Sequence, residues 1–204
     1  MALRRYGYLQ MRNLSMKRSI KFLVGTAAIF SPLLVHAQNV PGTVQVIVQN
    51  AISVSEDTPL NFGTIQAKAD TSGADVATMR VPADNSSRVI TNGTTAMINE
   101  ILPPNRGVFT ITGAAPQATL NITLPGTITL TPSGNVNTET FDVTSFEATD
   151  QNNNVVTNTL SLDASGNATL YIGATLTTRA GGGTDYFSDS SVTFTGAYNI
   201  VISY

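Results

Sequence analysis

The last thirteen residues of the chain alternate between apolar and polar side chains almost without interruption. Successive side chains of a β-strand point to opposite faces, so this pattern predicts one half-buried strand over residues 192–204. Gly196 predicts a bulge within that strand. A strand with no following strand leaves an outer edge to be covered, and we expect a second strand to dock there. The residues of the inward parity are Val192, Phe194, Gly196, Tyr198, Ile200, Ile202 and Tyr204.

Short alternating runs recur along the rest of the chain, separated by Gly, Pro, Asn and Asp. No segment keeps an apolar repeat of 3.6 residues, so the pattern predicts an all-β sandwich of about ten strands in one domain over residues 38–204. Asn92-Gly93 predicts a two-residue hairpin, and a change of parity between Val143 and Phe146 predicts a bulge. The first run, residues 44–54, places on one face Val44, Val46, Val48, Ile52 and Val54.

Residues 1–37 have the pattern of a cleaved export signal. A basic stretch that begins at Met16 precedes an apolar stretch over residues 22–35, and the small-residue site Val35-His36-Ala37 comes before Gln38. Residues 1–15 are either a long basic region or an upstream-start extension. The apolar stretch is short and is broken by Gly25, Ser31 and Pro32, so the alternative of a retained membrane anchor is less favoured. We therefore expect an exported protein of the periplasm, cell surface or extracellular space, with no membrane insertion after cleavage.

Removal of the signal changes the chemistry that the chain offers. Residues 38–204 keep five basic and thirteen acidic residues, hence a net charge of −8, and contain no His, Cys or Trp. Ser-His and Cys-His nucleophile systems and nitrogen- or sulfur-ligated metal sites are therefore excluded. An acidic surface argues against a nucleic-acid partner. We expect a protein that is not an enzyme and needs no cofactor, and whose stability comes from core packing and sheet hydrogen bonds rather than disulfides.

Acidic and Asn-rich loops are the remaining candidates for chemistry. Residues 150–154, residues 163–167, Asp185 and Asp189 offer oxygens that could bind Ca²⁺, but Asp and Asn are also common turn formers, and the turn interpretation is preferred. The carboxylates of Glu139, Asp142 and Glu147 could serve glycoside hydrolysis, but Asp142 and Glu147 differ in parity, which favours a solvated strand. Three glycosylation patterns, at Asn85, Asn92 and Asn121, are expected by chance in an Asn- and Thr-rich chain.

The two ends of the mature chain suggest how the open edge could be covered. The strand predicted at residues 44–54 of one subunit could add to the edge of residues 192–204 in the next subunit, which is β-strand addition. Repetition of that contact would be head-to-tail and would build a filament. The alternative is that residues 44–54 pair within their own sheet, as most first strands do.

Five segments together resemble a bacterial secreted family, the domain-of-unknown-function family 4402. They are LNFGTI at 60–65, GVFTITG at 107–113, ATLNITLP at 118–125, LYIGATL at 170–176 and GAYNIVISY at 196–204. The resemblance covers about residues 40–204, and a longer loop at residues 179–191 departs from it. It implies an immunoglobulin-like β-sandwich of fimbrial-subunit character, related in general form to pilins assembled by a chaperone and an usher, with no catalytic residues.

Two functions follow from these observations. In the first, the chain is a structural subunit of a cell-surface, fimbria-like fibre that associates with itself or with other fimbrial subunits, aided by a periplasmic chaperone. Its donor strand would carry Val44, Val46, Val48, Ile52 and Val54, and its acceptor edge Phe194, Tyr198, Ile200, Ile202 and Tyr204. In the second, the chain is a monomeric secreted module that binds carbohydrate or Ca²⁺ through its Asp/Asn/Gly loops.

Overall fold

The computed structural model describes residues 43–46, 52–134, 138–186 and 192–204. The predicted export signal, residue Asp189 and residues 47–51 of the first predicted strand, which include Val48, lie outside these ranges. The chain divides into two units, residues 1–45 and residues 46–204, and the fold below is that of the second unit. Its described residues include no helix long and apolar enough to cross a membrane.

The described part of the chain is built from β-strands and contains no helix, which confirms the all-β prediction and is consistent with a β-sandwich. It has thirteen strands rather than about ten. The first seven are β1 (Ser53–Thr58), β2 (Thr64–Lys68), β3 (Thr78–Val81), β4 (Val89–Thr91), β5 (Met97–Leu102), β6 (Gly107–Thr112) and β7 (Thr119–Thr123). The other six are β8 (Ile128–Pro132), β9 (Phe141–Asp150), β10 (Thr159–Ser161), β11 (Ala168–Thr178), β12 (Phe194–Thr195) and β13 (Val201–Ser203).

The strands form one large sheet and two small ones. The large sheet has the order β1-β6-β11-β9-β8-β12. In addition, β3 pairs with residues 174–177 of β11, and β4 pairs with β3. The small sheets are β10-β7-β13 and β2-β5. All ladders between these strands are antiparallel, as expected for a fold in which one face of each sheet packs on the core and the other meets water.

The long central strand β11 organises two hydrophobic clusters, one toward each of its ends. Its alternate residues Leu170, Ile172, Ala174 and Leu176 are almost fully buried, because β11 has partners on both edges. The first core cluster consists of Ile111, Ala114, Leu120, Ile122, Ala148, Val156, Leu160, Leu162, Ala168, Leu170 and Ile172. The second core cluster consists of Ala69, Ala77, Met79, Ala96, Ile98, Phe141, Val143, Ala174, Leu176 and Tyr186.

The closing segment differs from the prediction of a single strand. It is divided into β12, which pairs with β8 in the large sheet, and β13, which pairs with β7 in a small sheet. The backbone lies so close to β8 at Gly196 that an added Cβ would stand 2.9 Å from the Thr129 carbonyl oxygen. Residues 196–200 then carry the chain from one sheet to the other. Parity continues through such a crossing, so the alternation alone could not reveal it.

Three other local predictions have clear outcomes. The bulge predicted between Val143 and Phe146 is confirmed, because the β9–β11 register shifts there and Ser145 has a φ of 51°. The hairpin predicted at Asn92-Gly93 is wrong, because β4 pairs with β3 and β5 pairs with β2. The Asn92 side chain instead accepts a hydrogen bond from the Ile98 nitrogen and so fixes a turn between two sheets.

The first predicted strand begins, within the described residues, only at Ser53. There β1 pairs with β6 of the same chain, and Val54 lies opposite Ile111. Val54 shares the face of Ile111 but is 43% exposed, because β1 forms the outer edge of the large sheet.

Candidate functional site: an apolar groove between two strand edges

A groove of about 550 Å³ opens at the end of the molecule that holds the second core cluster. One wall is formed by residues 59–67, which include most of β2, and the other by residues 192–196 and Tyr198, which include β12. The floor comes from the large sheet, where Ile128, Val143 and Leu176 lie on the neighbouring strands β8, β9 and β11. The groove is therefore a gap between two segments that are far apart in sequence.

The first wall is shaped by a tight turn at Asn61, Phe62 and Gly63. The backbone of Asn61 exchanges two hydrogen bonds with that of Asn105, and the Asn61 side-chain oxygen accepts a third from the Gly63 nitrogen at 2.7 Å. Gly63 has a φ of 77°, a conformation that costs little only for glycine. An added Cβ there would also collide with the Leu102 carbonyl oxygen. This turn places Phe62 in the groove and directs the chain into β2.

Strand β2 alternates as a strand with one buried face should. Ile65 and Ala67 are half-buried and line the groove, whereas Thr64, Gln66 and Lys68 are exposed. Gln66 also borders the groove, at its rim. The wall therefore presents apolar side chains two residues apart.

The second wall is aromatic. Phe194 meets Phe141 edge-to-face at a centroid separation of 4.9 Å, and Phe141 stacks on Tyr186 at 4.2 Å. Tyr198 follows at the inner end of the groove, 5.4 Å from the ring of Phe146. Burial, with the Glu56 carboxylate as a further cause, raises the pKa of Tyr198 to about 12, so its hydroxyl is neutral at neutral pH. The groove lining thus carries no charged side chain and is predominantly apolar.

Both walls end in strand edges that are open within the described residues. The only described ladder partner of β2 is β5, and β12 has only β8. An edge strand has peptide N–H and C=O groups that point away from its partner and can pair with an added strand. The groove thus combines an apolar floor with hydrogen-bonding backbone on its walls.

The five predicted acceptor residues are not all in one place. Phe194 and Tyr198 line the groove. Ile200 and Ile202 instead pack against the first core cluster, because β13 belongs to the sheet formed with β7. Tyr204 is 57% exposed, and its hydroxyl accepts a hydrogen bond from the Ala115 nitrogen at 3.1 Å.

The opposite wall was absent from the sequence prediction of the site. Leu60, Phe62 and Ile65 belong to the segment 60–65 that carries the family resemblance, and Ala67 follows that segment. The sequence signal that could have identified this wall was the Asn-Phe-Gly turn followed by Ile65 and Ala67, an apolar pair two residues apart. Nothing in the sequence states that this pair faces residues 192–198.

The predicted donor residues also divide into two groups. Val44 and Val46 are exposed, and Val48 lies outside the described residues. Ile52 packs against the first core cluster, and Val54 is held in the β1–β6 ladder. The last two are therefore engaged within their own chain.

The carboxylates of the acidic loops accept hydrogen bonds from backbone nitrogens, most of them within the same loop. Asp150 accepts hydrogen bonds from the nitrogens of Asn152 and Asn154, and Asp163 accepts them from Ser165 and Asn167. Asp185 accepts from the nitrogens of Ala69 and Tyr186. Across the ranges that the structure describes, no group of three acidic, His or Cys side chains is placed to hold a metal ion.

The three carboxylates considered for glycoside chemistry have separate surroundings. Both oxygens of Glu147 accept from Arg80, and one also accepts from the Ala83 nitrogen. Asp142 accepts from the Thr129 hydroxyl and lies 3.4 Å from the Arg179 guanidinium. Glu139 lies beside Gly182 instead.

The fold and the groove define the class: an all-β domain whose distinguishing surface is an apolar cleft between strand edges. The chain belongs to the family described as Domain of unknown function (DUF4402), which matches residues 52–204. This match confirms the resemblance seen in the sequence. No curated protein and no solved structure matches the chain.

Proposed function

We propose that this protein is a non-enzymatic, exported structural subunit of a fimbria-like cell-surface fibre, and that its groove binds a β-strand of another chain. The observation that carries the proposal is the apolar groove between β2 and residues 192–198, with an open strand edge on each wall. Strand addition uses both properties, since main-chain hydrogen bonds supply affinity and alternate side chains fill the apolar floor.

The energetics favour an apolar, alternating strand as the occupant. Ile65, Phe62 and Phe194 are only half-buried, so an inserted strand would remove more of their surface from water. Each valine that became buried in the groove would contribute on the order of 1.5 kcal/mol. A polar or charged strand would gain nothing comparable from an uncharged lining.

An open groove has a consequence before assembly. Exposed apolar surface beside unpaired strand edges is a site of non-specific aggregation. We therefore include in the proposal a periplasmic chaperone that occupies the groove until another subunit replaces it.

The test compares two variants of the same strand. Ile65→Asp places a charge in the groove, and Lys68→Asp places the same charge on the exposed parity of β2, outside the groove lining. We expect Ile65→Asp to reduce assembly at least tenfold, measured by light scattering and electron microscopy of the exported protein, while Lys68→Asp assembles normally. Circular dichroism of both variants shows whether the fold is retained. Equal assembly of two folded variants would overturn the proposal.

A monomeric module that binds carbohydrate or Ca²⁺ through the loops gains no comparable support. Asp150 and Asp163, which it would use, each accept hydrogen bonds from their own loop through Oδ1.

A further inference from the structure

We propose that a second pocket, between residues 81–88 and residues 103–106, binds the carboxylate and ring of an acidic sugar residue. The pocket has a volume of about 180 Å³ and shares no lining residue with the groove. Sites for drug-sized ligands begin at roughly 300 Å³, so this pocket has room for one small ring. Binding here goes beyond the proposed function, since it requires neither the groove nor the acidic loops at residues 150–154 and 163–167.

Positive charge is concentrated in this pocket although the chain is acidic. The chain after residue 37 has five basic and thirteen acidic residues, and two of the five, Arg88 and Arg106, belong to the pocket lining. Within the described ranges, no acidic side chain lines the pocket. Asp84 accepts hydrogen bonds from the nitrogen and hydroxyl of Ser86, and Glu100 forms an ion pair with Arg88. The guanidinium of Arg106 is thus the charge that an anionic ligand would neutralise.

Arg106 is held in a fixed orientation by two contacts. Its Nη1 donates a hydrogen bond to the Ala83 carbonyl oxygen at 2.6 Å, and its guanidinium carbon lies 3.6 Å from the centre of the Tyr171 ring. Of the four arginines that follow residue 37, it alone forms no ion pair within the described part of the chain. The other N–H groups of its planar fork therefore remain for a ligand, and a carboxylate accepts two parallel hydrogen bonds from such a fork.

The turn at Ala83 is fixed to the large sheet and supports the pocket. The Ala83 nitrogen donates to Glu147 Oε1 at 2.9 Å, and the Ala83 oxygen also accepts from the Thr149 hydroxyl at 3.0 Å. Gly173 of β11 makes room for this turn, because an added Cβ would stand 2.5 Å from the Ala83 nitrogen. A pocket built on such a turn is formed before its ligand arrives, so little ordering entropy opposes binding.

The rest of the lining suits a sugar ring rather than a bare anion. Asn85 and Ser87 are exposed, and their amide and hydroxyl groups can form hydrogen bonds with sugar hydroxyls. Pro82, Pro103 and Pro104 add rigid apolar surface for the C–H groups of a ring. Sites for small ligands combine apolar surface with a few placed polar groups in this way. A pyranose that carries a carboxylate, such as a hexuronic acid, matches the guanidinium, the polar groups and the apolar surface together.

The first experiment titrates the exported protein with D-glucuronate and follows the backbone amides by NMR. We expect saturable binding in the millimolar range, with shifts at residues 81–88 and 103–106. D-Glucose has the ring without the carboxylate, and acetate has the carboxylate without the ring, so we expect each to bind at least tenfold more weakly. Absence of saturable glucuronate binding, or equal affinity for either control, would overturn the proposal.

The second experiment tests the location with two exposed serines. Ser87→Glu adds a negative charge to the pocket lining, and Ser161→Glu adds the same charge to an exposed position of β10 outside it. We expect Ser87→Glu to weaken glucuronate binding at least tenfold and Ser161→Glu to leave it unchanged. Because both serines are exposed, both variants should retain the circular dichroism spectrum of the natural chain. Equal affinities of the two variants would show that the ligand does not bind in this pocket.

A third variant separates recognition by the planar fork from attraction by charge. Arg106→Lys keeps the positive charge but loses the fork, and Arg179→Lys makes the same change outside the pocket. Because Arg106 also supports the turn at Ala83, thermal unfolding is measured with and without saturating glucuronate. We expect glucuronate to raise the Tm of the natural chain and of Arg179→Lys, but not that of Arg106→Lys. A folded Arg106→Lys chain that binds as tightly as the natural chain would contradict the role given to this guanidinium.

Discussion

A single backbone conformation shapes one wall of the groove. Gly63 holds a φ of 77° directly after Phe62 and packs against the backbone of residues 102–103. The Asn61 side chain closes the same turn through the Gly63 nitrogen. The Asn-Phe-Gly motif is therefore explained by local geometry, and its effect is to place an aromatic ring in the groove.

Replacement of Gly63 should destabilise the fold more than replacement of a glycine that has open space where a Cβ would be added. Gly63→Ala forces a left-handed conformation on a residue with a Cβ and adds a collision with the Leu102 carbonyl oxygen, so we expect a loss of at least about 1 kcal/mol. Gly126→Ala is the control, because among the described atoms none lies within 4 Å of its added Cβ. Urea denaturation of both variants measures the difference. Equal midpoints would contradict this account of the turn.

The buried hydroxyl of Tyr198 should make the fold sensitive to alkaline pH. Its pKa rises from the ordinary 10.0 to about 12, because burial opposes the charged phenolate. Between these values the unfolded chain loses a proton that the folded chain keeps. The contribution of the neutral phenol to stability is therefore complete below pH 10 and is lost as pH rises toward 12.

Tyr198→Phe removes this titration. We expect the free energy of unfolding of the variant to fall less steeply than that of the natural chain over the same pH range. The unfolding free energy of the variant should still fall in part with rising pH, because burial also raises the pKa of Tyr186. Urea titrations at several alkaline pH values measure both slopes, and identical slopes would show that Tyr198 does not titrate as described.

At the scale of the elements, two segments each cross from one sheet to another. Residues 53–68 run from β1 in the large sheet to β2 in a small sheet, and residues 194–203 run from β12 to β13. The groove opens where β2 and β12 face the same apolar floor without pairing with each other. The strand edges at the groove are thus a product of the two crossings.

Hydrogen exchange should reveal the open edge of β2. In the isolated chain, we expect the β2 amides that do not bond to β5 to exchange at close to the rate of solvated amides, and to become protected on assembly. The amides of β11 are the internal control, since this strand pairs on both edges and should be protected in both states. Equal protection of β2 before and after assembly would mean that no strand is added there.

At the scale of the whole molecule, the start of β1 and the groove lie toward opposite ends of β11. In the proposed function, a strand of another chain fills this groove. The stability of a subunit and its assembly are then linked, because any strand that binds the folded groove also stabilises the fold.

The sequence by itself determined the class of fold and the class of chemistry. Alternation with a period of two, interrupted by turn residues, was sufficient for an all-β fold, because that period is a property of each strand alone. The absence of His and Cys after residue 37 limited the chemistry in the same direct way. Phe194 and Tyr198 were also predicted as site residues, because an aromatic side chain on the inward parity of an alternating segment can be identified from the local sequence.

Only the tertiary structure decided which segments meet. Ile200 and Ile202 share the parity of Phe194, yet they contribute to a different cluster, because the chain changes sheets after Gly196. Ile65 and Ala67 form the facing wall although more than a hundred residues separate them from Phe194. Alternation shows which face of a strand is apolar. Strand pairing and the crossing from one sheet to another depend on long-range contacts, and these contacts place two strand edges on either side of the groove.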